Sequence, residues 1–208
     1  MKPYTPEEIQ TVLANLKNRR MDAYYCESKE EAVQTVLSLV PRGASVGWGG
    51  SVTLGQIGLT DALADHGCEL LDRAAAKTPE EQKELYARTL GCDWFFMSTN
   101  AMTEDGLLVN IDGRGNRVAF LCYGPENVCL IVGINKLVPS LEEALTRASD
   151  VAAPQNAVRL HRATPCAKTG KCMDCRSPDC ICAQTVVTRL SHIPHRIKVI
   201  LVGETLGY

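Results

Sequence analysis

The chain has 208 residues, enough for one substantial core, and its 45% hydrophobic and 22% charged residues are ordinary globular composition. Lys+Arg 22 against Asp+Glu 24 leaves a net charge of -2, which argues against nucleic acid as a partner. The opening residues are polar and acidic and no apolar run approaches the roughly 18 residues of a membrane span, so a cytoplasmic protein without membrane insertion is expected. Ten cysteines in such a chain predict thiols kept reduced. Cys26, Cys68, Cys92, Cys122 and Cys129 stand in apolar surroundings and read as core, whereas Cys166, Cys172, Cys175, Cys180 and Cys182 crowd into one short segment.

Taken in chain order, Thr5, Pro6 and Glu8 cap a predicted amphipathic helix whose apolar face is Ile9, Val12, Leu13 and Leu16. A strand is predicted at 23–26, and Ser28 with Glu31 starts a second helix. A strand at 44–47 leads into the turn GWGGSVT, followed by the helical pattern of Leu54, Ile57 and Leu59. Residues 69–71 read as a strand, Thr78, Pro79 and Glu81 as a helix start, and 94–98 as a further strand. Segments 107–111 and 117–121 read as the arms of a β-hairpin about the Gly/Asn turn 112–116. A strand at 128–132, a helix capped by Ser140 with Glu143, a helix around 156–162, a cysteine-bearing loop and a closing strand at 197–202 complete the chain. The alternation predicts an α/β fold: a mainly parallel sheet covered by helices, with an inserted hairpin and ligand sites at the carboxyl ends of the strands. One domain over 1–208 is expected, carrying a cysteine-rich appendage at about 163–183.

The glycine-rich turn is the first candidate site. Gly47, Gly49 and Gly50 let the backbone approach a ligand, and the Ser51 and Thr53 hydroxyls at a helix start favour a phosphate or carboxylate. No Walker lysine and no GxGxxG accompanies them, and a tight turn capped by Ser51 that binds nothing is the plain alternative. The second candidate is the stretch TNAMTEDG, just past the strand 94–98, where Asn100 is a candidate ligand contact and Glu104 a candidate general base or carboxylate nucleophile. Ordinary turn chemistry explains Glu104, Asp105 and Gly106 equally well. Lys136, after the strand 128–132, offers a positive charge to an anionic ligand. Asn110 and Asp112, flanking the hairpin turn, are secondary candidates together with Arg114 and Arg117.

The ordered set GWGGSVTL, TNAMTEDGLLVNIDGRGNRVA, GPENVCLIVGINKLV and the cysteine segment resembles the LUD domain family, the lactate utilisation proteins, over essentially the whole chain. The resemblance implies the Rossmann-like layered fold associated with sugar-phosphate isomerases and coenzyme A transferases. It implies a role in oxidation of L-lactate, or a related 2-hydroxy acid, to the 2-oxo acid, acting with iron-sulphur oxidoreductase subunits. Glu104 and Asp105 match the acidic positions that perform proton transfer or nucleophilic attack in related folds. A small anionic molecule and further copies of the chain are the other partners expected.

Cys166-x5-Cys172-x2-Cys175-x4-Cys180-x-Cys182 supplies five thiols where a metal or cluster needs four. Lys168, Lys171 and Arg176 offset the charge that four thiolates would carry. The spacing matches neither the ferredoxin run nor paired zinc knuckles, so a [4Fe-4S] cluster, zinc and free thiols or a redox disulfide all stay open. Cys166, Cys172, Cys175 and Cys182 are the preferred ligands and Cys180 is the substitute. Besides the 2-hydroxy acid reading, an isomerase or transferase using Glu104 on a sugar phosphate or acyl thioester, and a non-catalytic module sensing redox state or metal, fit the same residues.

Overall fold

A computed structural model describes residues 4–208. Helix α1 (Pro6–Asn18) starts at a complete Thr5–Glu8 capping box and buries Ile9, Val12, Leu13 and Leu16. Strand β1 (Asp22–Cys26) leads to α2 (Lys29–Leu39), whose first turn is capped by Ser28. Strand β2 (Ser45–Trp48) is followed by α3 (Val52–Gln56) and α4 (Leu59–Asp65), separated at Gly58, which takes the left-handed conformation with φ 65°. Then come β3 (Glu69–Leu71), α5 (Pro79–Leu90) and β4 (Trp94–Met97). Further along lie β5 (Ala101–Thr103), β6 (Leu108–Asp112), α6 (Asn116–Cys122), β7 (Asn127–Gly133) and the short β8 (Leu137–Val138). The chain closes with α7 (Leu141–Arg147), a π-helical turn (Ala148–Ala152), α8 (Ala153–Arg159), α9 (Pro165–Thr169), β9 (Gln184–Thr188) and β10 (Ile197–Val202).

Six strands form one wholly parallel sheet in the order β1-β10-β7-β4-β2-β3. Strand residues alternate between its two faces, as the pleat requires. Phe95, Met97, Val128, Leu130, Val132, Val199 and Leu201 join α1 in one core, whereas Trp94, Phe96, Cys129, Ile131, Ile200 and Val202 join Ala32, Val36, Leu59 and Leu63 of α2 and α4 in the other. Both faces are covered, as the alternating elements predict, and the arrangement is the Rossmann-like α/β fold that the resemblance implies.

A second sheet, β8-β5-β6-β9, stands beside the first, and here the structure corrects the expected hairpin. The antiparallel pair is β5 with β6, turning through residues 104–107, and β9 adds antiparallel to the far edge of β6. Residues 117–121 are helical instead of the second arm. Val118 and Leu121 are buried and Ala119 exposed, a helical spacing, and Gly115 at φ 80° takes the turn into α6. Among the core thiols, Cys26, Cys92 and Cys129 are buried as expected, but Cys122 is exposed at the end of α6.

Buried Arg196 ties α6 to the sheet. Its guanidinium donates to the carbonyl oxygens of Pro125 (2.9 Å), Leu121 (2.7 Å) and Phe120 (2.8 Å), so it satisfies carbonyls that the helix end leaves open. Arg196→Met removes all three donors while keeping most of the bulk. Urea denaturation is expected to show a loss on the order of 2–4 kcal/mol, with no change in the far-ultraviolet helix signal of the folded state.

Candidate functional site

The parallel strands β2, β4 and β7 end side by side, and the segments that leave them line an open cavity of about 800 Å³. Gly50, Ser51 and Thr53 come from the turn after β2, Ser98 and Asn100 from the end of β4, and Lys136 from the turn after β7. This is the carboxyl edge of the sheet, where α/β folds hold ligands. The opposite wall comes from the turn between β6 and α6, from α8, and from the cysteine loop through Pro178, Asp179, Cys180 and Ile181. Arg73, Arg114, Arg117, Lys136, Arg159 and Arg162 face the cavity, and among the described residues the acidic side chains that face it are Asp112 and Asp179. Both acids are engaged: Asp112 lies 3.7 Å from Arg117, and Asp179 lies 3.0 Å from Arg162. The remaining cations give the space a positive potential that attracts anions.

Lys136 sits at the floor with 3% of its surface exposed. Its Nζ donates to Thr53 Oγ1 (3.0 Å) and Ser98 Oγ (2.9 Å), and no carboxylate pairs with it among the described residues. Burial, followed by repulsion from Arg147 and Arg117, pulls its pKa from the ordinary 10.5 to about 7. The backbone of Gly207 closes over the same spot: a Cβ there would lie 2.5 Å from Thr53 Oγ1 and 3.0 Å from the Lys136 amine, at a φ of +62°. Tyr208 also lines the cavity, and its buried hydroxyl has no hydrogen-bond partner among the described residues.

Arg117 organises the wall. Its Nη1 donates to the Ser98 carbonyl (3.0 Å) and Asn110 Oδ1 (2.6 Å), and its Nη2 donates to Asn100 Oδ1 (3.1 Å) and the Ile111 carbonyl (2.7 Å). Asn100 Oδ1 also accepts from the Ile111 amide at 2.9 Å. Asp112 accepts from the Arg114 and Gly115 amides through Oδ1, which shapes the turn into α6.

The glycine-rich turn divides into two roles. Gly50, Ser51 and Thr53 reach the cavity as expected, whereas Gly47 and Gly49 serve packing. A Cβ on Gly47 would lie 2.7 Å from the Thr89 methyl carbon, and one on Gly49 would lie 3.0 Å from Arg117 Cγ and Cδ. The Ser51 hydroxyl accepts from the Leu54 amide as the cap of α3. Asn100 and Lys136 also face the cavity, but fully buried Asn110 lies behind it and holds Arg117.

Glu104 and Asp105 are not brought to this space. Glu104 Oε1 accepts from the Tyr4 hydroxyl at 3.0 Å, the Glu104 carbonyl accepts from Asn15 Nδ2 at 2.9 Å, and Asp105 pairs with Arg19 at 2.6 Å. The turn between β5 and β6 therefore packs on α1, and ordinary turn chemistry describes these two acids. Arg73, Ser98, Arg159, Arg162 and Tyr208 also line the cavity, without a motif in the sequence to mark them. They converge from distant segments, and no local spacing signals that they meet.

The LUD domain family profile matches residues 9–202. The chain belongs to the LUD domain family. A crystal structure of a DUF162 family protein from Deinococcus radiodurans is similar, with 13% identity and a TM-score of 0.54, covering 97% of this chain and 100% of that one. At that identity the likeness carries the fold. No curated protein matches the chain. The LUD family is associated with lactate utilisation, which is the general kind of function that membership supports.

In this LUD domain the segment that carries five cysteines also forms a wall of the cavity. All five thiols are free, and burial followed by repulsion from Cys180, Cys172, Cys175 and Cys166 pushes the Cys182 thiol above its ordinary pKa. The donor set suits a thiophilic metal in kind, five sulphurs with Lys168 and Lys171 in the same segment. As folded, no three His, Cys, Asp or Glu side chains among the described residues are gathered for a metal. Ile181 seats the loop against the β6–α6 turn, since a Cβ on Gly113 would lie 3.1 Å from its Cα.

The burial of Lys136 makes the stability of the LUD domain depend on pH. Its folded pKa lies below the unfolded value, so the unfolded chain holds the extra proton between about 7 and 10.5, and stability from this group rises with pH across that window. Lys136→Met removes the effect. The variant is expected to exceed the wild type most near and below neutral pH, with the gap narrowing by on the order of a few kcal/mol as urea titrations move from about pH 6 to about pH 10.

Proposed function

We propose that this LUD domain is a cytoplasmic component of L-lactate or related 2-hydroxy acid utilisation, and that it binds a small carboxylate in the cation-lined cavity. The observation that carries the reading is the charge balance there: six basic side chains against two acids that are already engaged by arginines. A carboxylate entering this space meets fixed donors and a positive field, which favours it over neutral molecules of the same size. Thr53 and Ser98 fix the Lys136 amine at the floor, and Asn100 and Arg117 hold the wall rigid, so little ordering remains to oppose binding. Oxidation of a 2-hydroxy acid releases two electrons and two protons, and iron-sulphur subunits of other chains are the proposed acceptors.

Calorimetric titration with L-lactate, pyruvate and inorganic phosphate tests the reading. At least one of the two organic acids is expected to bind, with affinity that falls as salt rises. Arg114→Ala is expected to weaken it by about tenfold or less, and Glu104→Gln to leave it unchanged. Indifference to both organic acids, or loss of binding in Glu104→Gln, would sink the proposal.

The cysteine loop is proposed as a thiolate metal centre held by Cys166, Cys172, Cys175 and Cys182, with Cys180 as the substitute ligand. An iron-sulphur cluster there would accept single electrons, whereas zinc would pin the loop and the cavity wall attached to it. Anaerobic purification with elemental analysis and a visible spectrum distinguishes the two. Iron with matching sulphide and visible absorption, or one zinc without colour, is expected in the wild type and absent from the Cys172→Ser, Cys175→Ser double variant. A metal-free wild type removes the centre from the account.

A further inference from the structure

We propose that Lys136 is a covalent anchor: its ε-amine condenses with the carbonyl carbon of a small 2-oxo acid in the cavity to form an imine. The inference rests on the carboxylate-binding reading above and adds a chemistry that separates the oxidised acid from its hydroxy partner.

Several independent features of the cavity converge on this amine. Lys136 is 3% exposed yet lines the open space, so it is withdrawn from bulk water while remaining in reach of a ligand. The charged groups acting on it are cations, Arg147 on α7 and Arg117 on α6, and no carboxylate among the described residues pairs with it. Two hydroxyl acceptors are thus all that offsets an ammonium, with no opposing charge, and a pKa of about 7 leaves a large share of the amine with a free lone pair at neutral pH. The amine is also aimed. Ser98 Oγ donates to the Ile131 carbonyl at 2.6 Å, so towards Lys136 it acts as an acceptor, and together with Thr53 Oγ1 it holds the nitrogen in place. Gly207 lines the cavity beside that nitrogen and leaves no room for a side chain, so the space next to the amine is kept clear of one.

Tyr208 supplies the second element. Its buried hydroxyl lacks a partner among the described residues and Tyr208 lines the same cavity, so it is a donor for an oxygen of the ligand. In the condensation the nitrogen lone pair forms the N–C bond as the carbonyl π bond opens onto oxygen. The two hydrogens of the amine pass to that oxygen, the C–O bond breaks to release one water, and a C=N bond remains. No oxidant or reductant is consumed. The carboxylate of the acid stays intact among the arginines. A 2-hydroxy acid has no carbonyl and cannot take this step, so the cavity distinguishes the two members of the redox pair by bond formation instead of by shape.

Borohydride trapping of the full chain tests this. Incubation with pyruvate followed by sodium borohydride is expected to give one reduced adduct, mapped by peptide mass spectrometry to Lys136, and L-lactate is expected to give none. Trapping should rise about tenfold between roughly pH 6 and pH 8 as the amine loses its proton, and Tyr208→Phe should slow it. Mapping in the wild type makes the outcome independent of how well Lys136 variants fold. Calorimetric binding of pyruvate without an adduct, or an adduct spread over other lysines, overturns the covalent role and leaves the carboxylate site standing. Absence of binding by either acid removes both.

Discussion

The cavity depends on one buried guanidinium. Arg117 reaches from α6 to the Ser98 carbonyl at the end of β4, to Asn100 just beyond it, and to Asn110 and Ile111 on β6. One planar group thus fixes the seam between the parallel sheet and the antiparallel one. Burial disfavours its charged form, and Asp112 opposes that effect. Such a group is stable inside only when its donors are satisfied, which is why the Asn side chains and free carbonyls gather around it. Gly49 belongs to the same device, because the arginine stem occupies the space a side chain would need.

Lys136 and Arg117 show opposite uses of buried positive charge. The arginine, with four hydrogen bonds and a carboxylate nearby, holds structure together. The lysine has two hydroxyl partners and cationic neighbours, so its charge is expensive and its amine is reactive. Arginine tolerates the fixed structural role because it does not lose its proton, whereas lysine shifts readily when buried. Strain between like charges is concentrated where a ligand bearing negative charge would relieve it.

The cysteine loop gives the cavity a wall that is not part of either sheet. Between α9 and β9 the chain has no helix or strand; Arg162 and the Ala163 amide, both ahead of α9, hold Asp179, and a turn at Ser177 ties the segment internally. Cys180 and Ile181 nevertheless face the ligand space. A cross-link made within this segment would therefore act on the cavity wall, because a segment with little core of its own is where added constraint has the greatest effect on order.

The local elements were legible in the chain itself. Capping boxes at Thr5 and Thr78, Ser caps at Ser28 and Ser140, and apolar runs at β4, β7 and β10 mark helices and strands through short-range chemistry, and their alternation determined the parallel α/β class. Residues 117–121 misled because a short apolar run fits a strand or a buried helix, and only packing against the core chose the helix. Within the site, Ser51, Thr53, Asn100 and Lys136 were readable because each follows a strand end. Tertiary structure decided the rest. It turned Glu104 toward Tyr4 and α1, withdrew Asn110 behind Arg117, and brought Arg73, Arg162 and Tyr208 to one space from three distant segments. Sequence determines what a segment prefers because its partners lie within a turn or two, whereas the charge state of Lys136 and the geometry around it depend on neighbours that only the folded chain assembles.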